Sequence, residues 1–257
     1  MQTGGKVIIC DSIDDVGISI LKKAGLVVVY KPDIESDELL ASVNDCVVIG
    51  VRSRTKITKM GIDAAANVKI IARVGVGLDN IDAGYAESKG IKVLNAAEAA
   101  MNAVSELVIG HMIALSRNIP KANEGIKSGR WLKKELVGVE LRGKYLGIIG
   151  VGNIGRNLGR MAKCLRMNLI GYDIIPINQD YIREVGMIKT DLKTLLENSD
   201  FVTCHVPLTD KTRHLINSET LSYMKPNAFL INTSRGEIID EESLFSALNE
   251  KRIAGAA

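Results

Sequence analysis

Short aliphatic runs alternate with amphipathic stretches along most of the chain. Runs of this length predict β-strands, and stretches such as Ser36 to Val43 predict the helices between them. In the first hundred residues the predicted strands are Val7 to Cys10, Val27 to Tyr30, Cys46 to Val51, Ile70 to Val74 and Val93 to Asn95. Strands that alternate with helices predict a parallel sheet, because each crossover helix returns the chain to the same direction.

The same rhythm restarts after Gly143. The strands predicted in this second series are Tyr145 to Ile149, Leu169 to Tyr172, Met187 to Ile188, Phe201 to His205, Ala228 to Asn232 and Ile253 to Ala257. Between the two series, apolar residues at spacings of three and four predict one long helix over Asn102 to Asn118, which ends before Pro120. The pattern therefore predicts an α/β protein with two parallel-sheet units, 1–100 and 101–257, the second including the long helix.

Composition is that of a soluble globular protein. Of the 257 residues, 46% are hydrophobic and 25% are charged, which excludes a disordered or fibrous chain. With 3 Phe, 1 Trp and 6 Tyr, the core must be mainly aliphatic. A net charge of +3 is too small to indicate nucleic-acid binding by itself. The basic segment Lys121 to Lys144 is interpreted as a solvated helix and linker, with a nucleic-acid surface as the alternative.

No segment predicts secretion or insertion into a membrane. The longest uncharged stretch of the most apolar region, Leu107 to Ser116, has ten residues, whereas a spanning helix needs ~18 or more. The N-terminal sequence MQTGGKVIIC lacks the apolar region and cleavage site of a secretory signal, so the expected location is cytoplasmic. The four cysteines have no C-x-x-C or zinc-ligand spacing; they are predicted to be reduced and mostly buried in strands, with no metal site.

A glycine-rich motif, GVGNIG, begins at Gly150, after a predicted strand and before a helical stretch. Gly150 permits a tight turn, Gly152 lets the backbone approach a pyrophosphate, and Gly155 allows close packing of helix on strand. Asn153 and Ile154 lie in the first helical turn, where free N–H groups point at the anion. In this context the motif predicts a dinucleotide-binding site.

The next predicted strand ends at Tyr172 and is followed by Asp173, 23 residues after Gly150. An acid about 20 residues into such a unit binds the ribose of the adenosine. A carboxylate accepts hydrogen bonds from two free hydroxyls and repels the extra phosphate of NADP, so the sequence predicts NAD. Flavin and S-adenosylmethionine sites also use glycine-rich turns, but they explain the later motifs less economically.

Polar residues follow two later strands of the second series. His205, Val206 and Pro207 lie at the end of one strand, and Thr233, Ser234 and Arg235 follow the next. Because ligands bind beyond the carboxyl ends of strands in such sheets, all six are predicted cofactor contacts. The planar guanidinium of Arg235 could also hold a carboxylate or polarise a carbonyl, the alternative being a helix cap or a surface ion pair.

Together these residues resemble the D-isomer-specific 2-hydroxyacid dehydrogenase family and, within it, the branch that acts on D-3-phosphoglycerate. The similarity covers essentially the whole chain. Its marks are VRSRTK from Val51, ARVGVGLDNID from Ala72, the glycine-rich turn, HVPL from His205, MKP from Met224 and NTSRG from Asn232. The resemblance implies two doubly wound, Rossmann-like domains with a cleft between them: a flavodoxin-like substrate-binding domain, 1–100, and an NAD-binding domain, 101–257.

The resemblance also implies a reaction, hydride transfer between C2 of a 2-hydroxy acid and NAD. In the phosphoglycerate branch the product is 3-phosphohydroxypyruvate, in the first step of serine biosynthesis. Arg235 matches the family's catalytic arginine, which orients the carboxylate and carbonyl of the substrate. Tyr172 and Thr212 are added to the expected cofactor contacts on the same ground, and a homodimer or homotetramer is expected.

The choice of phosphoglycerate depends on basic residues in the first unit. Between Arg52 and Lys59 the sequence has four basic residues and no acid, as a phosphate site requires. A solvated cationic loop explains this run about as well. The predicted donors to the substrate are Arg52, Ser53, Arg54, Lys56 and Arg73. The loop Gly75-Val76-Gly77 would present backbone N–H groups to the substrate carboxylate, the alternative being a plain loop after a strand.

The sequence departs from the family pattern in two places. Where relatives have a Pro-x-Gly-Asn-Ser loop, this chain has Ala100 and Met101 at the Asn and Ser positions. Relatives also continue past the position of Ala257 with a glutamate and a Pro-His pair, so the second domain is expected to be truncated at its C-terminal end. The catalytic glutamate and histidine are therefore expected beyond residue 257. None of the three histidines of the sequence, His111, His205 and His214, is expected to replace them.

Two other functions stay open at this point. One is another D-2-hydroxyacid dehydrogenase, such as a glyoxylate or hydroxypyruvate reductase. The other is a non-catalytic NAD-sensing binding protein that has kept the fold, although the retained Arg235 argues against it.

Overall fold

Each half of the chain forms its own parallel sheet. The computed structural model describes residues 4–257. The chain divides into two compact units, the first ending at Ala100 and the second formed by Met101–Ala257. The predicted α/β architecture with parallel sheets is confirmed.

The described part of the first unit, residues 4–100, contains five strands that alternate with four helices. In chain order they are β1 (Lys6–Ile9), α1 (Asp15–Lys23), β2 (Val27–Tyr30), α2 (Ser36–Ser42), β3 (Val48–Val51), α3 (Lys59–Ala64), β4 (Ile70–Arg73), α4 (Ala83–Ser88) and β5 (Lys92–Asn95). The strand order is β2-β1-β3-β4-β5 and every pairing is parallel. The chain changes direction across the sheet between β1 and β3, where ligands bind in sheets of this order.

The central strands of the first unit are aliphatic and buried. Ile8, Ile49 and Ile71, from β1, β3 and β4, have no exposed surface. Asp14 caps the N-terminus of helix α1, because its carboxylate accepts a hydrogen bond from the Val16 N–H at 2.8 Å. Burial of one helix face and of both sheet faces thus turns the aliphatic runs of the sequence into a core.

The second unit contains six strands, seven α-helices and one 3₁₀ turn, Gly236–Ile238. In chain order they are α5 (Met101–Ser116), α6 (Ile119–Lys127), β6 (Tyr145–Ile149), α7 (Asn153–Cys164), β7 (Asn168–Tyr172), α8 (Gln179–Val185), β8 (Met187–Lys189), α9 (Leu192–Asn198), β9 (Phe201–Cys204), α10 (Ser218–Ser222), β10 (Phe229–Asn232), α11 (Glu241–Asn249) and β11 (Gly255–Ala256). The order β11-β10-β9-β6-β7-β8 is entirely parallel and reverses between β6 and β9. This is the strand order of doubly wound dinucleotide-binding sheets.

The predicted long helix is confirmed as α5. Asn118, with φ of 53°, separates it from α6, which has Pro120 in its first turn. Val108 and Met112 are fully buried on the face that packs against α7. Leu107, which the apolar spacing predicts to be on the buried face, is 51% exposed.

The described cysteines are all free, and three of the four are buried. Cys204 lies in β9, whereas Cys10 follows β1 and Cys46 precedes β3, so the prediction of burial is confirmed but the placement in strands holds only for Cys204. Burial raises the pKa of Cys10 and of Cys204 to about 12. Cys164, the last residue of α7, is exposed. Among the described residues, no helix has the length and apolar character needed to cross a membrane.

Candidate functional site

The turn after β6 brings three strand ends of the second unit together. The Gly150 N–H donates to the Tyr172 carbonyl at 2.9 Å, and the His205 N–H donates to the Ile149 carbonyl at 2.8 Å. Gly150 has φ of 92°, and a Cβ on it would lie 2.8 Å from the His205 carbonyl carbon and 2.9 Å from a Val206 methyl. Only glycine therefore fits this turn.

Helix α7 begins with backbone N–H groups that a ligand can reach. Gly152 is the N-cap residue, and no side chain caps the helix. A Cβ on Gly152 would meet no heavy atom within 4 Å, whereas a Cβ on Gly155 would collide with the Gly150 carbonyl oxygen. The space beside Gly152 and the uncapped helix end fit a pyrophosphate, which Asn153 and Ile154 would help to hold through their N–H groups.

Asp173 lies beside this turn. Its Oδ2 accepts a hydrogen bond from the Val151 N–H at 2.7 Å, and its Oδ1 accepts one from the Ile175 N–H at 2.9 Å. An ionised carboxylate offers about four acceptor sites, so Asp173 keeps capacity for ribose hydroxyls. Tyr172 contributes through its backbone, because its carbonyl oxygen accepts the Gly150 N–H.

His205 and its neighbours form the next strand end. The His205 Nε2 lies 3.0 Å from the Thr203 Oγ1, and burial lowers the pKa of His205 to about 4. A pKa so far below neutrality does not suit a proton carrier at neutral pH. The Thr212 hydroxyl donates to the Pro207 carbonyl at 2.7 Å, so it shapes the loop that follows β9.

The Arg235 loop is shaped by Asn232. The Asn232 Oδ1 accepts hydrogen bonds from the Ser234 N–H at 3.0 Å and the Ser234 hydroxyl at 2.6 Å. The Asn232 Nδ2 donates to the Arg235 carbonyl at 2.8 Å. The Arg235 Nη1 donates to the Ser234 carbonyl at 3.0 Å, and the residue is half-buried. The Thr233 Oγ1 is buried with no hydrogen-bond partner among the described residues, which leaves it able to bond to a ligand.

In the first unit, Arg52, Ser53 and Arg73 lie together at the carboxyl ends of β3 and β4. The Arg73 Nε donates to the Arg52 carbonyl at 3.2 Å, and its Nη2 lies 3.4 Å from the Ser53 Oγ. A Cβ on Gly75 would lie 2.5 Å from the Arg73 Nη1, so the glycine leaves room for the guanidinium. A pocket of ≈ 340 Å³ at this edge is lined by Asp11, Ser12, Pro32, Asp33, Arg52, Ser53 and Arg54.

The glycine loop after β4 is held by Asn95, the last residue of β5, and by the residue that follows it. The Asn95 Nδ2 donates to the Val76 carbonyl at 2.6 Å, and the Ala96 N–H donates to the Gly75 carbonyl at 2.9 Å. The Gly75 N–H donates to the Arg73 carbonyl at 3.0 Å, so this one of the three predicted donors is used within the turn. Sequence reasoning missed Asn95, although a polar residue at the end of a strand is the type of signal that could have identified it.

Arg54 has a structural role that the sequence did not suggest. Its guanidinium donates to the carbonyls of Ile34, Cys10 and Pro32 at 2.9–3.1 Å, and its Nε lies 3.5 Å from the Asp11 Oδ1. These bonds tie the loops after β1, β2 and β3 together. Arg54 is thus engaged by the fold, and it also lines the pocket that contains Arg52 and Ser53, so its role as a phosphate donor stays a prediction.

A doubly wound sheet with a glycine turn at its switch point and an acid after the next strand defines a dinucleotide-binding protein. The sequence also matches the family profile described as "D-isomer specific 2-hydroxyacid dehydrogenase, NAD binding domain" over residues 109–257. The chain belongs to the D-isomer-specific 2-hydroxyacid dehydrogenase family, and its cofactor is a nicotinamide dinucleotide.

Three relatives illustrate the similarity. A D-3-phosphoglycerate dehydrogenase of Methanocaldococcus jannaschii is 43% identical over 253 residues, 98% of this chain and 48% of the relative. A hydroxypyruvate reductase of Thermotoga maritima is 42% identical over 251 residues, 98% of this chain and 81% of the relative. The solved structure of an acyclic imino acid reductase with NADPH and D-Arg is 29% identical, with a TM-score of 0.87 over 98% of this chain and 81% of that one. The chain thus spans about half the length of the phosphoglycerate dehydrogenase it matches.

Proposed function

We propose that the protein oxidises D-3-phosphoglycerate to 3-phosphohydroxypyruvate with NAD, which is the first step of serine biosynthesis. A bound nicotinamide would supply the hydride acceptor for C2, so that the hydroxy acid and NAD would give the 2-oxo acid, NADH and one proton. Arg235 orients the carboxylate and carbonyl of the substrate through its planar guanidinium. Arg52, Ser53 and Arg73 bind the phosphate, and the loop Gly75 to Gly77 contributes backbone N–H groups.

The grouping of Arg52, Ser53 and Arg73 carries the substrate proposal. The Arg73 side chain contacts both the Arg52 carbonyl and the Ser53 hydroxyl, so two guanidinium-bearing residues and a hydroxyl share one edge of the sheet. The Arg52 guanidinium lies at the same edge, where its Nη1 donates to the Ser12 carbonyl at 3.1 Å. Basic and hydroxyl donors clustered at one edge suit a phosphate better than an uncharged substituent. The 43% identity to a relative named D-3-phosphoglycerate dehydrogenase supports the same choice.

Steady-state kinetics on the protein expressed from its complete gene tests the proposal. Arg52→Ala should raise the KM for 3-phosphoglycerate roughly tenfold or more, because a charge-assisted hydrogen bond is lost, and leave the KM for hydroxypyruvate nearly unchanged. Lys69→Ala is the matched control, since Lys69 is exposed at the amino end of β4. Turnover of lactate or glycerate with none of phosphoglycerate would contradict the substrate assignment.

The proposal includes a preference for NAD over NADP. The Asp173 carboxylate is fixed beside the glycine turn, where its charge repels a 2′-phosphate. Asp173→Asn should weaken NADH binding and narrow the preference over NADPH by about tenfold, as measured by fluorescence titration. Equal affinity of the unmodified protein for NADH and NADPH would remove the role given to Asp173.

A hydroxypyruvate or glyoxylate reductase is the second candidate. It is favoured by the Thermotoga maritima relative, of which this chain spans 81%. The kinetic comparison with Arg52→Ala separates the two candidates, because a reductase of unphosphorylated acids does not need Arg52.

We also propose that the protein forms a homodimer or a homotetramer. Its molar mass in solution, measured by sedimentation analysis, tests this proposal.

A further inference from the structure

A buried carboxylate lies under the basic loop of the first unit. Asp11 follows β1 and is 4% exposed. It accepts hydrogen bonds from the Thr55 hydroxyl at 2.7 Å, from the Thr55 N–H at 3.2 Å and from the Arg52 N–H. A buried charge is tolerated only when its lone pairs are satisfied. The loop after β3 donates these hydrogen bonds, so the position of the loop depends on Asp11.

Asn80 holds the same loop by donating hydrogen bonds to the loop's carbonyl groups. Its Nδ2 donates to the Arg52 carbonyl at 2.9 Å and to the Thr55 carbonyl at 2.6 Å. Its Oδ1 is buried with no hydrogen-bond partner among the described residues, so the amide is held by its donors. Asp11 thus binds the N–H groups of Arg52 and Thr55, and Asn80 binds their carbonyls. We call these two side chains the loop frame.

We propose that the loop frame, Asp11 and Asn80, positions Arg52 and Ser53 for binding an anionic substrate group. The inference rests on the proposed function, in which Arg52 and Ser53 hold the phosphate. A donor whose backbone is already fixed loses less conformational entropy when it binds. Asp11 is a positioning residue, because its carboxylate is buried and engaged by the loop.

The charge of Asp11 allows its two possible roles to be distinguished, because they change substrate binding in opposite directions. A carboxylate near an anion site weakens anion binding through Coulomb repulsion, although the Arg54 Nε at 3.5 Å offsets part of its charge. If Asp11 acted only through its charge, Asp11→Asn would strengthen substrate binding. If Asp11 positions the loop, the same substitution weakens binding, because the asparagine NH₂ cannot accept from the loop N–H groups.

The experiment compares Asp11→Asn with Asp14→Asn in the protein expressed from its complete gene. Asp14→Asn makes the same charge change three residues away, and asparagine caps a helix as well as aspartate does. We expect Asp11→Asn to raise the KM for 3-phosphoglycerate about tenfold, with kcat and the KM for NAD within about twofold of the wild type. A merely structural role would lower the active fraction, and hence kcat, without moving the KM. An unchanged or lower KM overturns the proposal.

A milder pair keeps the test available if Asp11→Asn fails to fold. Thr55→Val removes the hydroxyl that donates to Asp11, and Thr55→Ser retains it. The valine variant should raise the KM several-fold, by roughly the loss of one hydrogen bond, and the serine variant should not. Equal KM values for the two variants contradict the loop frame.

Amide hydrogen exchange separates this inference from the proposed function, because it needs no turnover. In Asp11→Asn or Thr55→Val, the Arg52 and Thr55 amides should exchange roughly tenfold faster, while the β1 amides should not. Unchanged exchange overturns the loop frame whatever the substrate is. A wild type that oxidises another 2-hydroxy acid refutes the phosphoglycerate assignment alone, and the same KM comparison on that acid then decides the positioning role.

Discussion

The two sheets present different chemistry at their carboxyl edges. In the second unit the edge consists of Gly150, Gly152 and the uncapped start of α7, so a ligand meets main-chain N–H groups and open space. In the first unit the edge consists of loops that Asp11, Asn80 and Asn95 hold by side-chain hydrogen bonds. Both edges lie beyond the carboxyl ends of parallel strands, where ligands bind in such sheets.

This difference determines how each edge should respond to substitution. A main-chain site depends on the absence of a Cβ atom, so one methyl group can abolish it. A side-chain site is spread over many hydrogen bonds, each worth about 1 kcal/mol, so its losses should be graded. The variants below test whether the two edges differ in this way.

Gly150→Ala should have the largest effect. The φ of 92° is costly for alanine, and the added methyl would lie 2.8 Å from the His205 backbone. We expect a loss of about 3 kcal/mol or more in the free energy of unfolding, together with loss of NADH binding. Denaturant unfolding and NADH titration measure the two effects.

Gly152→Ala is the matched variant, since its methyl would meet no protein atom within 4 Å. Its free energy of unfolding should stay within about 0.5 kcal/mol of the wild type, while NADH affinity should fall about tenfold because the methyl occupies the approach of the pyrophosphate. Gly84→Ala, in α4, has the same open surroundings and should change neither NADH binding nor the fold. A Gly152→Ala protein that binds NADH normally would contradict the main-chain site.

Acid should destabilise the edge of the second unit through His205. Burial lowers the pKa of His205 to about 4, whereas the unfolded chain binds this proton near pH 6.5. The contribution to stability is therefore complete above about pH 6.5 and is lost as the pH falls toward 4, by on the order of 3 kcal/mol.

The test of this pH effect compares wild type with His205→Gln by denaturant unfolding across the same pH range. The glutamine variant should lose less stability on acidification. His214→Gln, at an exposed histidine, should follow the wild type. Parallel curves for wild type and His205→Gln would show that His205 does not titrate on unfolding.

The same contrast explains which parts of the molecule the sequence could predict. The strands, the glycine turn and its helix are local: the six residues from Gly150 carry the turn, the approach and the packing contact. The strand boundaries agree within two residues of the predictions in most cases, because aliphatic runs become buried parallel strands.

The edge of the first unit was harder to predict from the sequence, because its hydrogen bonds join residues that are far apart in the chain. Asp11 is separated by 41 residues from Arg52 and by 44 from Thr55, and neither spacing forms a motif. The one available signal was an acid directly after a buried strand at the ligand edge. The structural role of Arg54 was not predicted, because counting positive charges cannot show whether a guanidinium is bonded to backbone carbonyls.

Arg54→Lys should have a smaller, graded effect on the first unit. One ammonium group cannot replace a fork that reaches the carbonyls of Ile34, Cys10 and Pro32. Because the side chain is 45% exposed, we expect a loss of about 1 kcal/mol in the free energy of unfolding and no change in NADH affinity. Lys56→Ala, at an exposed neighbour, is the control for stability. A variant of full stability that loses phosphoglycerate affinity would support Arg54 as a ligand.

Thiol labelling should perturb the protein least, because it needs no substitution. It also reports on the opening of each unit separately. At about pH 8, the exposed Cys164 should be labelled rapidly, while the buried Cys10, Cys46 and Cys204 should be labelled only when the protein opens. The first two buried thiols report on the first unit and Cys204 on the second. NADH stabilises only the species that binds it, so it should slow labelling of Cys204 and leave Cys10 unchanged if the units open independently. Equal slowing of both thiols would mean that the main-chain edge and the side-chain edge, although built differently, unfold as one cooperative structure.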